Sequence, residues 1–512
     1  METVKFKGVW MILIGIISLT SCSDDYLDEN PKTFVSPDAL LTDEEGAEIY
    51  LVGAYDAVQD IIVTDDADGW LNHWGTLAAD EVVVPGWGGD RKLIFLHQLT
   101  PSNATVRRMW ESMYISLNRI NSVVDRVGAM TPDQIEDEPK QRILAEARYL
   151  RAMINFALVS TWENVPLIEH ETTSLNNLEV PQATPEEVYA FIIEDLQAAK
   201  TTLPMEQGGG RATKGAAQAL LGKVYLQMTG FPLNQDDKFA LAEAELKEVI
   251  DSGVYGLVDS YPDLFDYTNE QNKEILFSIG KEGPGKNEGS YLGAFYGPNG
   301  NVNEGGGFGT VYANHEWEAS YDRDDIRLLN NVAKHNANNW TPEEGMFNPE
   351  SWGTNKVPWR AWKWHAEKPN NYVNDAPFDN PYIRFADVLL MYAEALNGQG
   401  ELSQAVIDMT VNSLRERVRL EPTAVPDMAL GSQSENAAEI LAERRRELAL
   451  EGWRRNDLIR FGVYEETINA INQEGFSTAG NPGPNYNEFE IRWPIPNSEI
   501  ELNPSLEQNP GY

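Results

Sequence analysis

TKGAAQALLGKVYLQM, residues 213–228, is a run of small and long apolar side chains interrupted by single polar residues. Its apolar spacing predicts an α-helix over these residues. Within it, Leu221, Gly222 and Tyr225 follow the order L-G-x2-Y. A second stretch, QGELSQAV at 399–406, has Gly400 where one helical pattern stops and Ala405 where the next helix can pack closely. Together the two stretches predict antiparallel helices that stack in pairs.

Both stretches match parts of the tetratricopeptide repeat, so the predicted fold class is mainly α, a scaffold of tetratricopeptide-like helix pairs. The clearest helix start is at Thr184, Pro185 and Glu187, which form a capping box. Apolar periodicity predicts the helices, including this one, at 44–59, 106–127, 141–160, 185–202, 213–228, 239–252, 382–397, 402–418, 436–461 and 463–473.

Between residues 253 and 381 the long helical patterns are absent, and Gly, Asn, Pro and aromatic residues dominate. Loops of this length are uncommon in compact proteins and are usually functional or disordered. The high aromatic content argues against disorder. The sequence therefore predicts a loop-rich face inserted into the helical scaffold.

The N-terminus has the layout of a secretory signal. Lys5 and Lys7 precede the apolar run Val9–Leu19, which is too short to span a membrane permanently. The order Leu-Thr-Ser-Cys that ends at Cys22, the only cysteine, resembles the lipobox of bacterial lipoproteins. That resemblance implies acylation of Cys22, and two or more acyl chains anchor a protein stably to a membrane. An ordinary signal peptide with an incidental cysteine is the alternative.

Charge and motifs exclude several classes of function. With 80 acidic and 40 basic residues, the chain has a formal net charge of −40. Such a surface repels phosphate backbones, so nucleic acid is not an expected ligand. The histidines form no H-E-x-x-H motif, and GGGFG at 305–309 has no G-K-[ST] after it. No catalytic residue, metal or cofactor is predicted.

Five further motifs occur along the chain, and with the lipobox they resemble the SusD/RagB family of Bacteroidetes outer-membrane lipoproteins. The resemblance implies about four tetratricopeptide-like helix pairs with a loop-rich insertion face. It also implies a surface-exposed protein that binds glycans without cleaving them and passes them to a partner SusC-like TonB-dependent transporter. The motifs are AEARYLRA at 145–152 with NVPLI at 164–168, RATK at 211–214, YIRFADVLLMYAEA at 382–395, ERRRELALEGWRRNDL at 443–458, and a tail running from PIP at 494–496 to QNPGY at 508–512.

The expected organisation is a lipoprotein signal peptide over 1–21, a lipid-anchored tether over 22–37 and a single SusD-like domain over 38–512. Within this domain, the helical scaffold covers 38–252 and 382–473. The ligand face covers 253–381, and a Pro-rich tail covers 474–512.

Aromatic residues concentrate in the loop segment 65–90 and in the insertion. An indole ring offers a flat apolar surface to the C–H face of a sugar, and nearby amide and carboxylate groups can bind its hydroxyls. Filling of small cores beneath the loops is the structural alternative for each ring. The candidate ligand-binding residues are Trp70, Trp74, Trp87, Asp90, Tyr296, Trp317, Trp340, Trp352 and Trp359.

Other aromatic and charged residues are assigned to the scaffold. Trp110, Trp162, Trp453 and Trp493 are predicted to lie in the core. The Arg/Glu-rich segment 443–455 has the spacing of helical ion pairs, and its Leu and Trp neighbours indicate partly buried networks that fix helix packing.

Two other functions remain open. A surface glycoside hydrolase or lyase is possible because 80 acidic residues guarantee some carboxylate pairs at the ~5–10 Å separation that such enzymes use. A peptide-capturing member of the same family is also possible, although the clustered tryptophans favour sugars.

Overall fold

A computed structural model describes residues 36–62, 69–84, 89–176, 178–206, 208–283, 288–297, 308–334, 359–366, 376–471 and 486–512. Helices dominate these residues and the strands are short, so the fold is mainly α-helical, as predicted. Across these ranges, no helix combines the length and apolar character required to cross a bilayer.

The first half of the scaffold is a series of six long helices, each packed against the next. Their ends lie within a few residues of the predicted ones, and the helix that begins at Pro185 has the predicted capping box. The helices are α1 Glu44–Ile62, α2 Ala104–Ala129, α3 Asp137–Trp162, α4 Pro185–Thr202, α5 Lys214–Thr229 and α6 Lys238–Asp251.

Glycines permit the close helix contacts of the repeat. In α5, a Cβ on Gly222 would lie 2.7 Å from the Leu246 side chain of α6. The next long helix, α7 (Phe385–Gln399), ends at Gly400, whose φ of 73° is left-handed. Helices α6 and α7 pack directly on each other, although residues 253–381 separate them in sequence. The insertion therefore leaves the scaffold after α6 and returns to it at α7.

Three further helices complete the second half of the scaffold. Helix α8 spans 404–418 and contains a π-helical turn at Asp408–Asn412. Helices α9 (Gln433–Glu447) and α10 (Arg454–Arg460) replace the single helix predicted over 436–461, which was wrong. Leu450 and Gly452 have φ values of 63° and 86°, so the chain turns between the two helices.

The strands are short and pair in twos, both within the described part of the insertion and outside it. The predicted helix start at 382 was also wrong, because Asn380–Arg384 pairs with Ile275–Ile279 instead. The antiparallel pairs are β1 Val82–Val83 with β5 Tyr312–Ala313, β2 Val165–Pro166 with β3 Gln182–Ala183, β4 Ile275–Ile279 with β8 Asn380–Arg384, and β6 Val332–Lys334 with β7 Trp359–Ala361.

The remaining helical segments are short. They are the α-helices Pro37–Leu40, Gly89–Phe95, Leu292–Tyr296, His315–Ala319, Ile326–Asn331, Tyr464–Ala470 and Asn497–Leu502, the 3-10 helices Pro262–Phe265, Lys363–Ala366 and Glu488–Ile491, and the π-helix Leu71–Leu77.

The C-terminal tail packs against the end of α3. Trp493 donates its backbone N–H to Thr161 at 2.8 Å, and the Trp162 indole donates to the Pro494 carbonyl at 2.9 Å. Trp110 packs edge-on against Trp162 with ring centroids 5.1 Å apart. Together with Trp453, these rings are buried, which confirms their assignment to the core.

Candidate functional site

Buried ion pairs join α9 to strand β8, α8 and the insertion. The Glu447 carboxylate accepts hydrogen bonds from Arg384 at 2.7 Å, Arg327 at 3.0 Å and Arg417. Burial alone would raise the pKa of Glu447, but these three guanidinium groups lower it to about 2. One turn earlier, Glu443 lies equally deep and binds Arg327, Arg415 and Arg446.

A second group of buried charges joins α5, α7, α9 and α10. Asp387 accepts a hydrogen bond from Lys223 at 2.6 Å and from Arg444 at 2.9 Å. Arg460 binds both Glu394 and Asp457. These contacts confirm that the charged segment is a buried network that fixes helix packing. Its groups are occupied by one another, so the network is structural.

Asp80 and Glu81 are both buried, against α10 and the turn that precedes it. Arg454 binds Asp80 at 2.7 Å. Burial opposes ionisation of Asp80, but Arg445 and Arg454 lower its pKa to about 2. Burial and the Asp80 charge raise the pKa of Glu81 to about 8. Glu81 accepts the Leu450 backbone N–H and so stabilises the turn.

Four of the candidate rings are buried, which corrects the expectation that they offer a face to a ligand. The Trp70 indole donates to Thr161 at 2.8 Å, and the Trp74 indole donates to Asn456. Tyr296 donates its hydroxyl to Asn72, and Trp317 donates to the Tyr321 hydroxyl at 3.2 Å. Each ring is at most 1% exposed and its polar atom has an internal partner, so these rings fill the small cores beneath the loops.

The other candidates fall into two groups. Trp87, Trp340 and Trp352 lie outside the described residues. The backbone of Trp359 lies in β7, paired with Lys334, and its side chain is outside the description. Asp90 is exposed on the short helix Gly89–Phe95. Of the predicted set, Asp90 is thus the one whose side chain the structure both describes and leaves open to solvent.

Near this helix, the insertion carries aromatic residues that are not fully buried. Phe308 is 43% exposed, and its ring centroid lies 5.6 Å from that of the half-buried Tyr291. The Phe308 backbone N–H binds the Ala294 carbonyl at 2.8 Å, which holds the two rings together. Arg91 of the short helix lies over the Phe295 ring, with its Cζ 5.4 Å from the centroid. This last contact brings the 89–95 helix to the same face.

Tyr312 and Arg360 extend this face along the strands. Tyr312 lies on β5 opposite Val83 of β1 and is half-buried. The Arg360 guanidinium, on β7, lies 3.5 Å from the Tyr312 ring centroid and donates to the Val311 carbonyl at 3.2 Å. We refer to Asp90, Tyr291, Phe308, Tyr312 and Arg360 as the rim cluster. It combines part-exposed rings with one carboxylate and one cation.

Sequence reasoning missed Phe308 and Arg360. Phe308 stands in the glycine-rich stretch 305–309, and a single large apolar residue among glycines was the available signal. Arg360 lies between Trp359 and Trp362, and the sequence pattern of this segment favoured the tryptophans over the cation as ligand-binding residues. Among the described residues Arg360 has no carboxylate partner, which is a tertiary property that no local pattern reveals.

Two larger grooves lie elsewhere in the described structure. One of about 310 Å³ lies between 205–213 and 271–278, and another of about 500 Å³ lies between 320–325 and 425–429. Each contains an arginine already paired within the protein, Arg211 with Glu48 and Arg415 with Glu443. Among the described residues, no group of three or more acidic, His or Cys side chains is arranged to hold a metal ion. We take the rim cluster, where the exposed Phe308 ring lies beside Tyr291, as the candidate for ligand binding.

Comparison with known families gives two matches that do not overlap. A family model described as "SusD family" matches residues 348–512. A second, described as "Starch-binding associating with outer membrane", matches residues 25–226. The first covers the last part of the insertion and all that follows it, and the second covers the scaffold through most of α5.

Individual proteins resemble the chain over most of its length. A SusD-like protein of Formosa agariphila is 24% identical over 573 residues, which cover 99% of this chain and 100% of that protein. The starch-binding protein SusD of Bacteroides thetaiotaomicron is 24% identical over 468 residues, 81% of this chain and 80% of that protein.

Solved structures share the fold. The crystal structure of a SusD homologue from Bacteroides thetaiotaomicron has a TM-score of 0.79 at 24% identity, covering 94% of this chain and 100% of that one. Surface glycan-binding protein A from Bacteroides fluxus has a TM-score of 0.73 at 21% identity, covering 91% of this chain and 99% of that one.

Proposed function

The chain belongs to the SusD-like family, and on that premise we propose that it is a cell-surface lipoprotein that binds oligo- or polysaccharide. Two similar proteins carry names that describe such binding, the starch-binding protein SusD and a surface glycan-binding protein. This chain would use the same helical frame to hold a glycan at the inserted face.

The observation that carries the proposal is the part-exposed ring pair of Tyr291 and Phe308. Planar rings at a protein surface suit the apolar face of a pyranose, and they lose little conformational entropy on binding. Asp90, on the adjoining helix, supplies an acceptor for sugar hydroxyls. Stacking and hydrogen bonding of this kind bind a glycan without changing its bonds.

Binding is better supported than glycoside cleavage. The carboxyls of Asp80 and Glu81 have pKa values of about 2 and about 8, a difference that would suit a glycosidase pair. Both are buried, and they are occupied by Arg454 and by the Leu450 backbone. A substrate could not reach them without unfolding the turn that they support. The names of the similar proteins also describe binding.

The anchor and the transporter partner are further parts of the proposal. Acylated Cys22 would hold the protein at the outer membrane, in keeping with the family description of a starch-binding protein associated with that membrane. From there the bound glycan would pass to a SusC-like TonB-dependent transporter. Tethering next to such a transporter raises the effective ligand concentration and offsets weak affinity.

Retention of the purified protein in gels that contain polysaccharide tests this function. We expect retention in at least one polysaccharide without release of reducing ends. Tyr291→Ala combined with Phe308→Ala is expected to reduce retention about tenfold. Ile115→Ala, which removes an exposed apolar side chain from α2, serves as the control. Release of reducing ends, or full retention of the double variant, would contradict the proposal.

A further inference from the structure

Arg360 is a buried cation without an ionic partner among the described residues. The residue is 5% exposed. Its Nη1 donates to the Val311 carbonyl at 3.2 Å, and its buried Nε has no hydrogen-bond partner. The Tyr312 ring, 3.5 Å from Cζ, is the other group that stabilises its charge. An arginine has five N–H donors in a planar fork, and among the described residues one carbonyl accepts a hydrogen bond from this one.

Other buried arginines in the described structure have more partners for their guanidinium groups than Arg360 has. Arg327, Arg384 and Arg444, for example, each contact two or more carboxylates. Arg455 also lacks an ion pair, but it donates to two backbone carbonyls and lies over the rings of Trp74 and Tyr464. Arg360, by contrast, donates to one carbonyl and lies over one ring. A buried charge with so little compensation is unfavourable unless something else supplies the counter-charge.

The position of Arg360 indicates where that counter-charge comes from. Arg360 belongs to the rim cluster because its guanidinium lies over the Tyr312 ring of β5. Tyr312 in turn follows the exposed Phe308 by four residues in sequence. Burial lowers the pKa of Arg360 to about 10, which still leaves it charged at neutral pH. In a chain with a net charge of −40, a cation just beneath this face that has no carboxylate partner among the described residues is a local site of opposite sign.

We propose that the glycan bound at the rim cluster is anionic and that Arg360 binds its sulfate ester or uronate carboxylate. This inference rests on the proposed glycan-binding function and specifies the substrate class. A guanidinium binds either oxyanion through two parallel hydrogen bonds, which gives orientation as well as affinity. The neighbouring rings would stack on the sugar units, and Arg360 would select those that carry the negative group.

Two matched pairs of polysaccharides test the proposal on the purified full-length protein in detergent. Polygalacturonate is compared with its fully methyl-esterified form, and dextran sulfate with dextran, by titration calorimetry. The first pair isolates a carboxylate and the second a sulfate. The wild-type protein is expected to bind the charged member of at least one pair about tenfold more tightly than its neutral partner, with an affinity that falls as salt rises.

Variants separate binding by Arg360 from general charge effects. Arg360→Gln is expected to abolish the preference for the charged member, and Arg360→Lys to retain part of it. Arg107→Gln removes one positive charge from the exposed face of α2 and is expected to keep the preference. Without glycan, Arg360→Gln is expected to unfold at the same or higher denaturant concentration than the wild type, because it removes an uncompensated buried charge.

Several results would overturn the inference. They are equal binding of charged and neutral members, an unchanged preference in Arg360→Gln, and a loss of stability in that variant without ligand. Binding of the neutral members alone would leave the glycan-binding function in place and exclude the anionic substrate class. Failure to bind any polysaccharide would overturn both.

Discussion

Glu447 accepts hydrogen bonds from three arginines at a position that is fully buried. Each of those arginines takes part of its compensation from this carboxylate and the rest from other acidic side chains, and a buried cation that loses counter-charge is costly. The residue therefore belongs to the structure of the scaffold, although its charge alone would make it a candidate for catalysis.

Glu447→Gln tests this role, because the amide keeps the shape of the side chain but removes its charge. We expect the free energy of unfolding in urea to fall by about 3–5 kcal/mol. Glu439→Gln is the matched control on the same helix. Glu439 binds Arg415 with its own side chain 53% exposed, so its loss should cost less than about 1 kcal/mol. Equal losses in the two variants would contradict the assignment.

We expect Glu81 to make the free energy of unfolding depend on pH with the opposite sign to that expected for carboxyls paired with a cation. Its folded-state pKa is raised to about 8 by burial and by Asp80. Between the unfolded pKa near 4.5 and the folded value, the folded state holds the proton that the unfolded state has lost, so this group lowers stability as pH rises.

Glu81→Gln should remove that loss. The variant should gain roughly 1–2 kcal/mol of stability relative to the wild type as the pH is raised from 5 to 7, measured by urea unfolding at each pH. Asp387→Asn is the contrast, since the pKa of that carboxyl is lowered to about 2 by Lys223 and Arg444 against the effect of burial. Its contribution is present above pH 4 and is lost on acidification. A pH-independent effect of Glu81→Gln would contradict the raised pKa.

The sequence could identify which residue types would bind a sugar, but it could not predict which rings are exposed. Trp70 and Trp74 stand in a polar, acidic segment, yet both are buried because Thr161 and Asn456 supply partners for their indole N–H groups. Those partners lie on distant parts of the chain. Phe308 was missed for the converse reason, since its exposure depends on how 308–309 is held against 294–297.

At the scale of elements, the π-helix Leu71–Leu77 and the turn between α9 and α10 meet through glycines. A Cβ on Gly75 would lie 1.7 Å from the Gly452 carbonyl oxygen, and a Cβ on Gly452 would lie 2.5 Å from Leu71. Gly452 also has a φ of 86°, which side chains other than that of glycine rarely adopt. This contact explains why the chain needs glycine at both positions.

Gly75→Ala is expected to lower the free energy of unfolding by about 3 kcal/mol or more, because the backbone of the turn must move. Gly53→Ala is the matched control in α1, where a new Cβ would meet nothing within 4 Å. Alanine has the higher helix propensity, so this control should be stabilised by up to about 1 kcal/mol. Thermal and urea unfolding measure both. A Gly75→Ala protein as stable as the wild type would contradict the close contact.

The elements with regular apolar periodicity could be predicted, including the capping box of α4. The errors occur where tertiary contacts override local pattern. The sequence pattern of residues 448–453 predicts helix, but Leu450 adopts a positive φ and donates its backbone N–H to Glu81. Residues 382–384 read as helix, but the backbone pairs with β4. In both places the deciding partner lies far away in sequence.

For the whole molecule, the direct packing of α6 on α7 is the central feature of the architecture. This contact makes the scaffold continuous across the insertion, so the 253–381 segment can vary in sequence without interrupting the packing of the helices. The ion pairs of α9 and the docking of the tail on α3 stabilise that frame independently. The rim cluster thus lies on a frame that these contacts stabilise, which suits a binding protein.

Cys22→Ser tests the proposed acyl anchor. We expect the wild-type protein to incorporate radiolabelled palmitate and to fractionate with the outer membrane. The variant should incorporate no label and should leave the membrane fraction, because the acyl chains provide the anchor. Ser23→Ala keeps the cysteine and is the control. Palmitate labelling of the Cys22→Ser protein, or its retention in the outer membrane, would contradict the anchor.

Hydrogen–deuterium exchange with and without a bound oligosaccharide tests whether the rim cluster is the binding face, since it locates that face in the intact protein. We expect the ligand to slow exchange in the peptides that cover 89–95, 288–297, 308–313 and 359–361, and to leave exchange in α1 through α6 unchanged. Protection confined to the scaffold helices, with none at these segments, would contradict that assignment.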